Sequence, residues 1–365
     1  MPDKIGPWQL FVLIFLFEIG SAAVVNLGMD AKQDAWLAIL LGMGTGLLLF
    51  LLYSYLYLQH DGQPLTVFAR RLLGKHLGWL LGFVYVLYFF YISARVLRDF
   101  SELLVTSTLN QTPISAAAAL MMIVVGWAAY HGIEVIGRTS QIFAVVLVVL
   151  VLIGALALLS SDVLHPENLA PVLENGWLPV LKTAFPLTAT FPFGETVVFL
   201  MLLPALYDKT KARQIGMLAI LISGLTLCLI VIANIMVLGA SKASLEQFPL
   251  LKTVGKVHLA DTLQRLDVIA ISLLIIGGFF KVLLFFYAGL LGTKDLFHIQ
   301  QKKWMTLLTV LLTAASVIYS VKMSASFADH IEIGLQIVPY YMHVPLQAAV
   351  PLLLAALTFL KQRIR

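Results

Sequence analysis

Two glutamates and a lysine stand in stretches that are otherwise apolar, and their chemistry needs an explanation. Glu18 lies in Phe17-Glu18-Ile19-Gly20-Ser21-Ala22, and Glu195 in Phe191-Pro192-Phe193-Gly194-Glu195-Thr196. Lys281 lies in Phe279-Phe280-Lys281-Val282-Leu283. A charged side chain at the centre of a membrane helix costs about 2.5 kcal/mol or more, so each of these needs a partner or a task. A carboxylate there is either protonated and hydrogen-bonded, paired with a buried base, or turned to a cavity that admits a ligand ammonium or a coupling ion. Lys281 is too deep to snorkel to the interface. Glu18, Lys281 and Arg95 are therefore candidates for coupling or gating.

Each glutamate is accompanied by a glycine near mid-span. A helix broken there exposes a half-helix N-terminus, whose free N–H groups and positive dipole end suit a carboxylate. Gly20, Ser21 and Ala22 form one candidate grip, with Ser21 adding a hydroxyl; Phe193, Gly194 and Glu195 form the other. Pro186 and Pro192 remove donors from the helical ladder, and Phe191 and Phe193 supply apolar walls. Together the two breaks suit a small zwitterion. The plainer alternative is that Gly20 is a packing notch and the prolines are kinks.

In a third stretch, Tyr88, Tyr91, Arg95, Arg98 and Glu102 recur at three- and four-residue steps and share one helix face. Arg95 with Asp99, and Arg98 with Glu102, have the spacing of intrahelical ion pairs. They form either a self-neutralised structural network or a functional face, with Tyr91 walling a site and Arg95 in an outer gate. The eight histidines are scattered over loops and ends without a metal-ligand pair, and the single cysteine, Cys228, allows neither a disulfide nor a cysteine cluster. Phosphate loop, nucleophile elbow and dinucleotide fingerprint are all missing, so neither an enzyme nor a bound cofactor is expected.

The elements that must position these residues are membrane helices. Of 365 residues, 60% are hydrophobic and 12% charged, and the mean hydropathy is +0.95. These values exclude an ordinary soluble protein. The net charge of +5 is spread over loops and tail, which argues against a nucleic-acid partner. About twenty apolar residues cross a bilayer, and ten such runs are present: 8–28, 35–58, 77–107, 114–130, 139–159, 182–206, 215–238, 266–291, 304–321 and 334–360. The first run follows Lys4 as a signal peptide would, but Glu18 interrupts it and it reads as a retained helix.

With the N-terminus inside, fourteen Lys and Arg fall in inner segments and seven in outer ones, which places both termini in the cytoplasm. Leu65–Leu73 suits a short helix lying on the membrane surface. Phe248–Asp261 has a weaker helical pattern that would cap spans seven and eight. The glycine rows Gly42-x-x-x-Gly46 and Gly74-x-x-x-Gly78-x-x-x-Gly82 suit close helix packing. Ten spans with matching breaks in the first and sixth make one membrane domain, residues 1–365. It divides into two five-span halves, 8–159 and 182–360. Because five is odd, the second half is inverted.

At Glu18-Ile19-Gly20-Ser21 and Ala31-Lys32-Gln33-Asp34-Ala35-Trp36-Leu37 the chain resembles the endospore germination permease family, the B subunits of nutrient germinant receptors. Tyr91-Ile92-Ser93-Ala94-Arg95 with Phe100, and the Phe-Pro-Phe-Gly-Glu break, extend the resemblance over essentially the whole chain. It implies a fold of the amino acid, polyamine and organocation transporter superfamily. It also implies residence in the spore inner membrane, an A subunit and a C lipoprotein as partners, and a small nutrient, often an amino acid, as ligand. In that architecture the Lys281 ammonium would stand where related proteins hold a sodium ion. Where the superfamily often has a Gly-x-Gly break, this chain has Gly20-Ser21-Ala22.

The expected function is a germinant sensor that binds a small nutrient, an amino acid, between broken spans one and six. A proton-coupled amino-acid permease, using Glu18, Glu195 or Lys281, is the alternative, and a scaffold with a vestigial site is the third.

Overall fold

The computed structural model describes residues 4–257 and 267–364. Nine helices among the described residues are long and apolar enough to cross a membrane, and the shorter apolar helix Pro7–Ala22 makes the tenth span. The chain is an all-α polytopic membrane protein whose first and sixth spans are broken. Span two is Ala35–Gln59, span three Lys75–Ser107, span four Ile114–His131 and span five Ile133–Leu159. Span six covers Trp177–Ala205. Span seven is Ala212–Leu238, span eight Asp267–Leu296 and span nine Lys302–Lys322. Span ten covers Pro339–Arg363.

Local sequence sets the ends. Pro7 opens span one, where a missing N–H costs nothing. Gly74 and Gly132, at φ +84° and +85°, take left-handed backbone between helices. Span five starts six residues before its apolar run, directly after Gly132, and Glu134 and Arg138 pair at 2.5 Å along its exposed surface.

The two breaks differ. Gly20 leaves helical backbone, at φ −19° and ψ −106°, and helix ends at Ala22. Span six instead passes through a π turn over Ala184–Thr188 and a 3-10 turn over Phe193–Val198. Span one packs against spans five, seven and eight, span three lies along span eight, and span two lies along span seven and the broken part of span six. The glycine row of span two permits that last contact. A Cβ on Gly42 would fall on the Thr188 carbonyl, and one on Gly46 on the Phe193 side chain.

Leu65–Leu73 is helical, as expected, and its apolar face packs on the protein. Its apolar residues Leu65, Phe68, Ala69 and Leu72 are buried in the protein, Arg70 pairs with Asp295 at 2.5 Å, and Lys361 donates to the Leu72 carbonyl at 2.8 Å. Gly78 lets span three approach that helix, since a Cβ there would meet the Ala69–Arg70 backbone. On the same side, backbone bonds from Ile5 to Ala205 (2.9 Å) and from Tyr207 to Ile5 (3.0 Å) tie the starts of spans one and seven to the end of span six. In the following turn the Thr210 hydroxyl and amide hold the Asp208 carboxyl below its usual range.

Across the membrane, Pro249–Gly255 forms a short helix against spans seven and eight. Positions 258–261 of the expected cap, and Leu266 at the expected start of span eight, lie outside the described residues. The Gln33-Asp34 segment has a structural task. Asp34 accepts from the Leu173 amide at 3.0 Å, and Gln33 donates to the Pro171 carbonyl at 3.1 Å. These bonds fasten the connection between spans five and six to the head of span two.

Candidate functional site

The broken segments of spans one and six meet spans three, eight and ten. Lys281 reaches from span eight to Glu195 of span six, Nζ to Oε2 at 2.6 Å, with both side chains almost fully buried. The ammonium also lies 5.0 Å from the Phe17 ring and 4.7 Å from the Phe191 ring, so aromatic faces flank it from both broken spans. Its stem packs on Gly20, where a Cβ would lie 3.0 Å from Lys281 Cβ and Cδ. Gly20 is thus the seat of the Lys281 side chain.

Span ten completes the arrangement. His343 Nε2 lies 4.0 Å from Glu195 Oε1. Gln347 Nε2 donates to the Tyr88 hydroxyl at 2.8 Å and to His343 Nδ1 at 3.0 Å. An Nδ1 that accepts from an amide leaves the ring proton on Nε2, the nitrogen nearer Glu195. Tyr53 donates to the carbonyls of Gln347 and Gly194, at 2.5 and 3.2 Å, which locks span two to span ten and to the unwound part of span six.

Next to this pair is a small cavity of about 40 Å³, lined among others by Ser21, Arg95, Asp99, Phe191, Glu195 and His343. Drug-sized ligands occupy roughly 300–1,000 Å³, so the cavity is too small for one in this conformation. Its wall nonetheless carries a guanidinium and two carboxylates. Ser21 Oγ is buried there with no hydrogen-bond partner.

Arg95 and Asp99 both reach the segment preceding span ten. Arg95 donates to the His330 carbonyl at 2.5 Å, and the His330 ring meets Asp99 Oδ1 at 2.9 Å. The expected Arg95–Asp99 pair is therefore replaced by a bridge between helices, whereas Arg98 and Glu102 pair as their spacing predicts, at 3.6 Å. A Cβ on Gly334 would strike the Arg95 guanidinium, which fixes how closely the segment approaches.

The sequence-derived candidates divide accordingly. Ser21, Glu195 and Arg95 line the cavity, and Lys281 holds Glu195. Gly194 abuts Gln347, Phe193 packs on Gly46, and Ala22 is buried at the helix end. Tyr91 faces a separate groove with Tyr319, their rings 6.3 Å apart. Glu18 is wholly buried, and neither of its oxygens meets a hydrogen-bond donor. The half-helix N-terminus expected at Gly20–Ala22 is not formed: Ala23 and Val25 donate back to Ile19 and Ser21, as at a helix C-terminus. His330 and His343 are not loop residues but are buried in the assembly of helices. The π turns over Ile333–Ile337 and Pro339–Ala349 shift the register of span ten, so a 3.6-residue pattern does not locate His343 and Gln347.

A family model described as spore germination protein matches residues 4–328. Spore germination protein KB of Bacillus subtilis (strain 168) is 41% identical over 362 residues, which cover 99% of this chain and 96% of the relative. Spore germination protein YndE of the same organism is 24% identical over 305 residues, 81% of this chain and 82% of the relative. Among solved structures, MhsT in complex with L-phenylalanine aligns over 99% of both chains with a TM-score of 0.65 at 14% identity. That likeness is one of fold: the LeuT fold, an inverted repeat of five spans with broken helices one and six.

Proposed function

The chain belongs to the spore germination protein family, and from that premise we propose that it is the B subunit of a nutrient germinant receptor, binding a small nutrient where broken spans one and six meet. The ligand is an amino acid. The observation that carries this reading is the cavity wall, which brings Arg95, Asp99 and Glu195 together with an unpartnered Ser21 hydroxyl. A guanidinium complements a carboxylate and the acidic groups an ammonium. The relation of fold to MhsT, whose complex holds L-phenylalanine, supports the same ligand class.

Gly20, Ser21, Ala22, Phe193, Gly194 and Glu195 form or frame the site, Tyr91 touches it only through Arg95, which donates to its hydroxyl at 3.4 Å, and Glu18, Arg95 and Lys281 couple or gate it. The halves 8–159 and 182–360 rock against each other, with both termini cytoplasmic in the spore inner membrane. A ligand favouring the opened state shifts that equilibrium, and the A subunit and C lipoprotein read the shift. The pair of buried carboxylates with a buried lysine also favours a second reading, a proton-coupled amino-acid permease.

A thermal-shift screen of the purified chain against the twenty standard L-amino acids tests binding, because a ligand of the folded state raises its stability. Uptake by proteoliposomes under a proton gradient separates the readings: binding with accumulation supports the permease, and binding without it the sensor.

A further inference from the structure

The junction of spans one, six and eight holds two carboxylates and one ammonium. Glu18 and Glu195 are 0% and 1% exposed and Lys281 is 0% exposed. Lys281 is committed to Glu195 at 2.6 Å. Around Glu18 the charged and titratable groups are Lys281 of span eight, Glu195 of span six and Tyr53 of span two. Tyr53 gives its proton to the Gln347 and Gly194 carbonyls. His343 adds no second positive charge, since its Nδ1 accepts from Gln347. Glu18 is therefore left without a donor to either oxygen. An ionised carboxylate is not sustained in such surroundings, whereas a neutral acid is.

The geometry also supplies a second station for the ammonium. Lys281 Nζ already lies over the ring of Phe17, the residue preceding Glu18, and its stem crosses Gly20, two residues beyond. We propose that Glu18 holds a proton in the closed state, and that a nutrient bearing a cationic amine takes Glu195, sends the Lys281 ammonium to Glu18 and thereby releases that proton to bulk water. The inference rests on the nutrient site proposed above and sharpens its ligand class. Before binding, the three groups are Glu18 as acid, Glu195 as carboxylate and Lys281 as ammonium; afterwards two carboxylates face two ammonium groups. The amino acid arrives as a zwitterion and its carboxylate goes to Arg95, so the site gives up one positive charge, carried by the one proton that leaves per ligand bound. An amine-free nutrient cannot drive the exchange.

The test uses the full chain in lipid nanodiscs. Calorimetry with each of the twenty standard L-amino acids, in buffers of different ionisation enthalpy, counts the protons released. Wild type is expected to release close to one proton per bound amino acid, and Glu18→Gln, which keeps the side-chain shape, close to none. Infrared difference spectra of the ligand-free proteins give an independent readout, with a protonated-carboxyl C=O band present in wild type and lost in Glu18→Gln. Amino-acid binding without proton release overturns the exchange and leaves the binding site standing. Binding of D-glucose but of no amino acid overturns the proposed ligand class as well. Failure to see the carboxyl band overturns the resting state of Glu18 whatever the ligand.

Discussion

Lys281 Nζ and Glu195 Oε2 meet at 2.6 Å in the interior of the helix bundle, between the rings of Phe17 and Phe191. The pair joins the long span eight to the unwound part of span six, and through Gly20 the same lysine stem supports the break of span one. Removing one partner of a buried pair costs roughly 3–5 kcal/mol because the other charge is stranded. Lys281→Met alone should therefore lower the melting temperature sharply. The double variant Lys281→Met with Glu195→Gln should recover most of that loss, and equal melting of the single and double variants would show that the pair is not coupled.

The contact of Asp99 with His330, beside that of Arg95 with the His330 carbonyl, closes one wall of the site. Hydrogen bonds to charged groups contribute about 1.5–3 kcal/mol. His330→Ala should loosen this closure. In a Cys228→Ala background, Ser21→Cys should be labelled by a water-soluble thiol reagent at least several-fold faster when His330→Ala is also present. Unchanged labelling would assign the contact to stability alone.

Gly42 lies against the Thr188 carbonyl, and Thr188 donates to the Ala38 carbonyl at 2.7 Å. Gly42→Leu inserts bulk where two backbones touch, at a cost of about 1–3 kcal/mol. Lower thermal stability is expected, whereas Gly44→Leu, which faces open space, should melt like wild type.

Asp34 holds the Leu173 amide at 3.0 Å. Losing one such bond costs on the order of 1 kcal/mol. Asp34→Ala should make the 170–176 connection more readily cleaved in limited proteolysis while leaving the melting temperature nearly unchanged; unaltered cleavage would deny the fastening role.

Much of the architecture is legible in the sequence because the bilayer imposes a single length on every apolar run. The same rule makes Glu18, Glu195 and Lys281 conspicuous and says that Lys281 needs a partner, but that the partner is Glu195 and not Glu18 is seen only in the structure. The sequence pattern carries no information about partners that come from distant spans. Arg95 and Asp99 have the spacing of a pair, yet both are drawn to His330, 235 and 231 residues away. His343 and Gln347 enter the junction through π turns that no regular period announces. Gly20 reads as a place for a ligand to approach, and the structure fills it with the Lys281 stem. For that reason a bulky residue at Gly20 would disturb packing and is a poor probe of binding.

The most direct test of the proposed site is titration of purified wild type and Glu195→Gln with the twenty standard L-amino acids. The account predicts that wild type binds at least one of them and that the variant binds it at least tenfold more weakly, about 1.4 kcal/mol. Equal affinity in the two proteins would contradict a site built on Glu195.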